Sequence, residues 1–270
     1  MTTSVPLLPG GLIEDGVLRR DFAFLPVDGR LELALADALD AATSTPAAVT
    51  GALQASLATL AGRAPERHRV DALCVADRQF LMRRLAALLG RHSGWYAATC
   101  VACKARFDFP LDPALLPFKP AGDGFPTARL TLGRRRLQLR VPTGADQIRV
   151  LGLPPEGRRE ALLRGLVEGD AGALPAELAP RHIDRCEAAL EAVAPELACE
   201  VVADCPECGQ RNQVEIDPYG ALAHDPDLTL QEVHRLAWHY HWSEAEILAM
   251  PRGRRARYLE LIDAARGMSQ

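Results

Sequence analysis

Two stretches of this chain, about a hundred residues apart, repeat one another. From position 100 it reads Cys-Val-Ala-Cys-Lys-Ala-Arg-Phe-Asp-Phe-Pro-Leu-Asp-Pro, and from position 205 Cys-Pro-Glu-Cys-Gly-Gln-Arg-Asn-Gln-Val-Glu-Ile-Asp-Pro, with no gap between the copies. Both thiol pairs correspond, as do Arg106 with Arg211, Phe109 with Val214, Leu111 with Ile216, Asp112 with Asp217 and Pro113 with Pro218. Two thiols on a tight turn between alternating apolar residues predict a strand, a turn and a return strand, the knuckle half of a zinc ribbon. Four thiolates complete a tetrahedral shell, so the fold must bring Cys100, Cys103, Cys205 and Cys208 together around one structural Zn2+ per chain, with the sulfurs roughly 4 Å apart. The separation is far longer than in an ordinary ribbon, so the expectation rests on the repeat rather than on the spacing. Simple thiols buried in hairpins are one alternative. A redox pair is the other, but a redox C-x-x-C opens a helix, whereas a β pattern follows each pair here. A closed shell leaves no position for a catalytic water, so the metal's expected work is to staple distant segments.

Seven cysteines, an odd number, argue against a disulfide framework, and Cys74, Cys186 and Cys199 read as inert core thiols. With 48% apolar and 24% charged residues, the 270-residue chain can build a core. No run reaches the ~18 apolar residues of a membrane span. Pro6 and Pro9 break the first apolar stretch, so no signal peptide is readable and a cytoplasmic location is expected. A net charge of −4, from 31 basic and 35 acidic residues, does not favour nucleic acid.

Alternation on both sides of Val27-Asp28-Gly29-Arg30 predicts a β-hairpin over 20–35, and periodicity predicts helices over Ala47–Leu60 and Arg69–Leu89, the latter with Leu81, Leu85, Leu88 and Leu89 on one stripe. Ala128–Val141 reads as a second hairpin, with Arg134, Arg135 and Arg136 at its solvated tip. Helical periodicity then resumes around 160–167 and 183–193, interrupted by the breaker cluster Gly169–Pro175. Thr229-x-x-Glu232 and Ser243-x-x-Glu246 fit capping boxes that start two helices, and a third is expected over Arg254–Ala265 with Tyr258, Leu261, Ile262 and Ala265 on one face. The fold class is therefore α+β: small hairpins and a split zinc-ribbon-like four-cysteine module combined with helical segments. Its parts are 1–92 (hairpin plus helices), 93–220 (knuckles 96–113 and 201–218, with hairpin 126–142 and helical insert 144–195) and 227–268 (three helices).

Outside the cysteines the chemistry is sparse. Asp77 on the helical stripe reads as a structural ion pair with Arg78 or Arg84. His234, His239 and His241 do not form H-E-x-x-H, and imidazoles in an aromatic-rich helix are the plainer reading. Trp238 and Trp242, at i and i+4, are expected to share a face while Tyr240 points elsewhere. Core packing between the last helices is the ordinary reading of these three rings, and a partner-binding patch steered by Arg254 and Arg255 is the other. No nucleophile elbow, phosphate-binding loop or dinucleotide fingerprint occurs, so neither an enzyme nor a small-molecule substrate is expected.

Several of these residues together resemble the baseplate protein family of contractile-tailed phages. They are Ala76-Asp77-Arg78-Gln79 with the Phe-Leu-Met that follows, the Cys100–Asp108 knuckle, Leu139–Asp146, Cys205-Pro206-Glu207-Cys208 and, most specifically, Val233-His234-Arg235-Leu236-Ala237 with Tyr240-His241-Trp242-Ser243-Glu244-Ala245-Glu246-Ile247-Leu248. The resemblance implies a baseplate hub subunit or hub assembly chaperone, of a phage or of a phage-tail-like injection system. It further implies other baseplate or hub subunits as partners, no catalysis, and assembly in the cytoplasm. The competing class is a zinc-ribbon nucleic-acid binder. Against it, Lys104, Arg106 and Arg211 are outnumbered around the knuckles by Asp108, Asp112, Glu207, Glu215 and Asp217.

Overall fold

The computed structural model describes residues 6–90, 94–169, 174–175, 177–222 and 226–267. The N-terminal part carries β1 (Leu12–Glu14), β2 (Val17–Arg19), β3 (Phe22–Phe24), α1 (Gly29–Asp40), α2 (Thr45–Ser56), β4 (Leu57–Leu60), α3 (Arg67–Ala72) and α4 (Val75–Leu88). The first knuckle is β5 (Gly94–Thr99) with β6 (Arg106–Leu111), followed by β7 (Phe118–Lys119) and the hairpin β8 (Thr127–Leu132) and β9 (Arg135–Arg140). Helices α5 (Gly144–Leu151), α6 (Arg158–Leu166) and α7 (Pro180–Val193) lead to β10 (Glu196–Leu197) and to the second knuckle, β11 (Glu200–Asp204) and β12 (Arg211–Glu215). The chain closes with α8 (Pro226–Tyr240), α9 (Glu244–Leu248) and α10 (Arg252–Gly267).

The architecture is α+β, and every sheet among the described residues is a two-stranded antiparallel pair. Pairs this short are marginal alone, so they persist by packing on helices. The main core joins Leu31, Leu53, Leu81 and Leu85 of the N-terminal helices to Leu137 and Leu139 of β9 and to Leu163, Leu166 and Leu190 of the later helices. A second cluster, Val233, Leu236, Ile247, Leu248 and Ile262, holds the C-terminal helices together, and a third sits between the knuckles.

The hairpin over 128–141 forms as read, in register from Thr127 opposite Arg140 to Leu132 opposite Arg135, and it turns at Gly133, whose φ of 61° suits a residue without Cβ. The hairpin over 20–35 does not form. Phe22–Phe24 pairs instead with Leu57–Leu60, and Asp28 caps α1 by accepting the Leu31 N–H at 3.1 Å. Leu31 and Leu35 enter the main core while Leu33 packs on the C-terminal cluster, so a helix buried on two sides shows the alternation of a strand.

The helix expected over Ala47–Leu60 stops at Ser56, because its last residues supply β4, and the one over Arg69–Leu89 is α3 and α4, broken at Leu73 and Cys74. Leu81, Leu85 and Leu89 are buried, but Leu88 is 50% exposed. Asp77 makes no ion pair with Arg78 or Arg84: its carboxylate accepts the N–H groups of Gly10 and Gly11, both at 2.7 Å. Arg78, wholly buried, donates to the carbonyls of Val70 and Pro46 and to Thr50. Within the Gly169–Pro175 breaker cluster, residues 170–173 lie outside the described residues.

At the C-terminus the Ser243–Glu246 box is present, with Ser243 N–H donating to Glu246 at 2.9 Å and Glu246 N–H to Ser243 at 3.3 Å. The Thr229–Glu232 box is not: α8 starts at Pro226, and the buried Thr229 hydroxyl donates to Glu32 at 3.0 Å. In α10, Tyr258, Leu259 and Ile262 pack inward, whereas Leu261 and Ala265 are exposed. No described helix is long and apolar enough to cross a membrane.

Candidate metal centre

Both knuckles fold by one local rule. The N–H of Cys100 donates to Ala105 O and that of Cys205 to Gln210 O, each at 2.9 Å, while the N–H groups of Lys104 and Gly209 return to the carbonyls of Cys100 and Cys205. Closing so tight a turn needs a left-handed residue after the second thiol, and Lys104 (φ 62°) and Gly209 (φ 68°) supply it. Beyond the strands the equivalence continues: Asp112 accepts the N–H of Ala114 and Asp217 that of Tyr219, both at 2.9 Å, which explains the repeated Asp-Pro.

The four sulfurs lie within 4.8 Å of one another, with Cys100 3.6 Å from Cys208 and Cys103 3.7 Å from Cys205. Four sulfurs bound at ~2.3 Å to one tetrahedral ion stand about 3.8 Å apart, so the cluster has the dimensions of a metal shell and can hold a metal ion. Cys100 and Cys205 are buried, and Cys103 and Cys208 form the outer edge. The Cys103 backbone N–H draws the Cys100 thiol down to about 6. Cys103 is pushed up to about 12: the Ala105 N–H favours its thiolate, but hydrogen bonding with the other three thiols outweighs it. One thiolate forms readily and the next resists, and a cation among them removes that resistance.

Two residues that the sequence reading passed over hold the halves together. Asn212, buried at the position matching Phe107, accepts the N–H of Val101 from the opposite knuckle at 2.9 Å and donates to Gln210 O at 2.8 Å. Its signal was available, since it is a polar residue where the other copy is aromatic. Arg83 of α4 donates to Leu116 O at 3.2 Å and to Ala198 O at 2.7 Å, bridging the flanks of the two knuckles, and nothing in the local sequence marks it. Below them β7 pairs with β10, Glu196 opposite Lys119 and Leu197 opposite Phe118, so the distant segments meet there as well.

Among the described residues the four cysteines are the one group of three or more candidate ligands, and the C-terminal histidines do not join such a group. The C-terminal rings are arranged otherwise than expected. Trp238 is 72% exposed, beside His234 at 6.4 Å. Trp242 does not share its face: the helix ends at Tyr240, His241 takes a left-handed conformation (φ 56°), and Trp242 folds back to stack on Tyr240 at 4.6 Å and meet Tyr258 edge-on at 4.8 Å. Arg255 does not belong to a surface patch either. It is fully buried, 2.5 Å from Glu32 and 2.9 Å from Glu232, whereas Arg254 is exposed. No family model matches this chain, and neither a curated protein nor a solved structure matches it.

Proposed function

We propose that this protein is a non-enzymatic baseplate component or hub assembly factor of a contractile phage tail or phage-tail-like injection system, with one structural zinc ion per chain. The observation that carries the structural part is the cysteine cluster: four thiols from segments about a hundred residues apart close one shell and leave no open position, which suits a staple rather than a catalyst. Zinc is the metal that an all-cysteine shell on paired knuckles fits best. The baseplate assignment rests on the resemblance centred on Tyr240–Leu248. Trp238, exposed on the α8 of that block, is its candidate anchor for a neighbouring hub subunit, and the acidic knuckles speak against nucleic acid.

Two measurements test this. Elemental analysis of freshly purified protein is expected to find one zinc per chain; iron in its place would overturn the zinc assignment, and no metal would overturn the staple. Co-expression with the hub, tube and spike proteins of a contractile tail is expected to yield a complex that Trp238→Ala weakens. Specific nucleic-acid binding without such a complex would replace the reading with the alternative.

A further inference from the structure

Along one face of α4, at the edge of the main core, lies a groove that neither the four cysteines nor the C-terminal helices line. Its larger part is a cavity of about 810 Å³ lined by Arg20, Arg83 and Arg84 together with Phe80, Leu115 and Phe118. An adjoining cavity of about 520 Å³ shares Pro6, Arg84 and Ala114 with it and runs along β3, past Phe22 and Phe24 to Leu88. Phe80, Arg83, Arg84, Ala87 and Leu88 recur at three- and four-residue spacing, so one face of α4 floors both parts. This is where Leu88 goes instead of the core.

The surface is apolar where water can reach it. Leu115 is 81% exposed, Leu88 50%, Leu7 46% and Phe118 44%. It is also cationic in a chain of net charge −4. Among the described residues, no carboxylate lines the larger cavity, and none of the three arginines makes an ion pair. Arg20 donates to the carbonyl of Leu8 and Arg83 to two carbonyls, all neutral acceptors, and Arg84 has no hydrogen-bond partner among the described residues. Asp112, the carboxylate of the smaller cavity, accepts the Ala114 N–H. β3 pairs only with β4 among the described residues, and Phe22, Ala23 and Phe24 border the smaller cavity, where an added strand would run.

We infer that this groove binds an extended segment of a partner protein whose acidic side chains alternate with bulky apolar ones. Alternation suits the site because an added strand turns successive side chains to opposite sides. Its carboxylates meet the forked donors of Arg84, and its apolar residues cover Leu115, Phe118 and Leu88. A long concave site suits a peptide better than a lipid surface, on which an amphipathic element lies flat. The inference stands whether or not the baseplate reading holds, since it depends on none of the four cysteines and on no residue of α8.

The test is selection of phage-displayed random peptides on the immobilised full-length protein, followed by fluorescence polarisation with synthetic copies of the enriched sequences. Enriched peptides are expected to carry Asp or Glu beside Leu, Ile or Phe, to bind more weakly as salt rises, and to lose about tenfold or more in affinity with Arg84→Glu. Leu115→Asp, at a position too exposed to affect folding, is expected to do the same, with circular dichroism and metal content unchanged in both variants. Failure to enrich, enriched peptides without acidic residues, or undiminished binding by the two folded variants would overturn the inference. So would a concentration-dependent dimer that both variants abolish, or anionic vesicles competing for the groove where the peptides do not.

Discussion

Asn212 shows how much one residue contributes when a repeat is not quite a repeat. Its buried amide occupies the place of Phe107 and accepts the Val101 N–H across the junction, so Asn212→Ala breaks that bond and leaves a gap where the side chain was enclosed. The expected cost is about 1–3 kcal/mol in urea unfolding of the metal-loaded protein, with no loss of helix. Asp146 makes stability sensitive to acid. Burial alone would raise its pKa, but hydrogen bonding with Arg140 and the Thr143 N–H outweighs this and holds it at about 2. A pKa depressed in the fold stabilises above the unfolded value, near 3.9, and that contribution is lost as pH falls toward 2. Asp146→Asn is therefore expected to cost about 2 kcal/mol at neutral pH and to flatten the acid limb of the unfolding curve between pH 4 and 2. At this scale the four thiols were legible because identical spacing left little choice. Asn212 and Arg83 were not, because the partners of both are backbone groups far away in sequence, and backbone carries no sequence signal.

Among the elements, α1 carries the pattern of a strand while α9 is plain in the sequence, for related reasons. The Ser243 box is a contract between neighbours, so it survives in the fold, whereas Thr229 turns to the distant Glu32 once α8 extends to Pro226. Burial against two clusters gave α1 the period of a strand, and no local cue separates the two cases. The junction of α1, α8 and α10 rests on Arg255, which faces Glu32 and Glu232. Arg255→Met strands the buried Glu32 charge and is expected to cost about 3–5 kcal/mol, part of which Glu32→Gln in the same chain recovers; thermal unfolding of the single and double variants checks this. The aromatic residues of the same region separate by role. Trp242→Ala removes a ring packed on Tyr240 and Tyr258 and is expected to lower stability by about 2 kcal/mol or more. Trp238→Ala should leave the unfolding midpoint within about 0.5 kcal/mol of wild type.

For the whole molecule, the α+β class and the four-cysteine cluster followed from the sequence, while the way the insert folds back did not, since it depends on contacts between residues far apart. β7 against β10, Arg83 and the thiols all join the region before the insert to the region after it. Cys205→Ser is accordingly expected to destabilise the entire chain by several kcal/mol rather than to loosen one hairpin, and a chelator is expected to reproduce it, with calorimetry as the readout. The same closure sets an order of events in time. Neither half-site can capture an ion with four sulfurs until residues 119–196 have returned to their starting point, and contacts so distant in sequence form slowly. During refolding, tight metal uptake therefore comes last, and the moment a metal indicator is stripped of its ion marks the arrival of the finished fold.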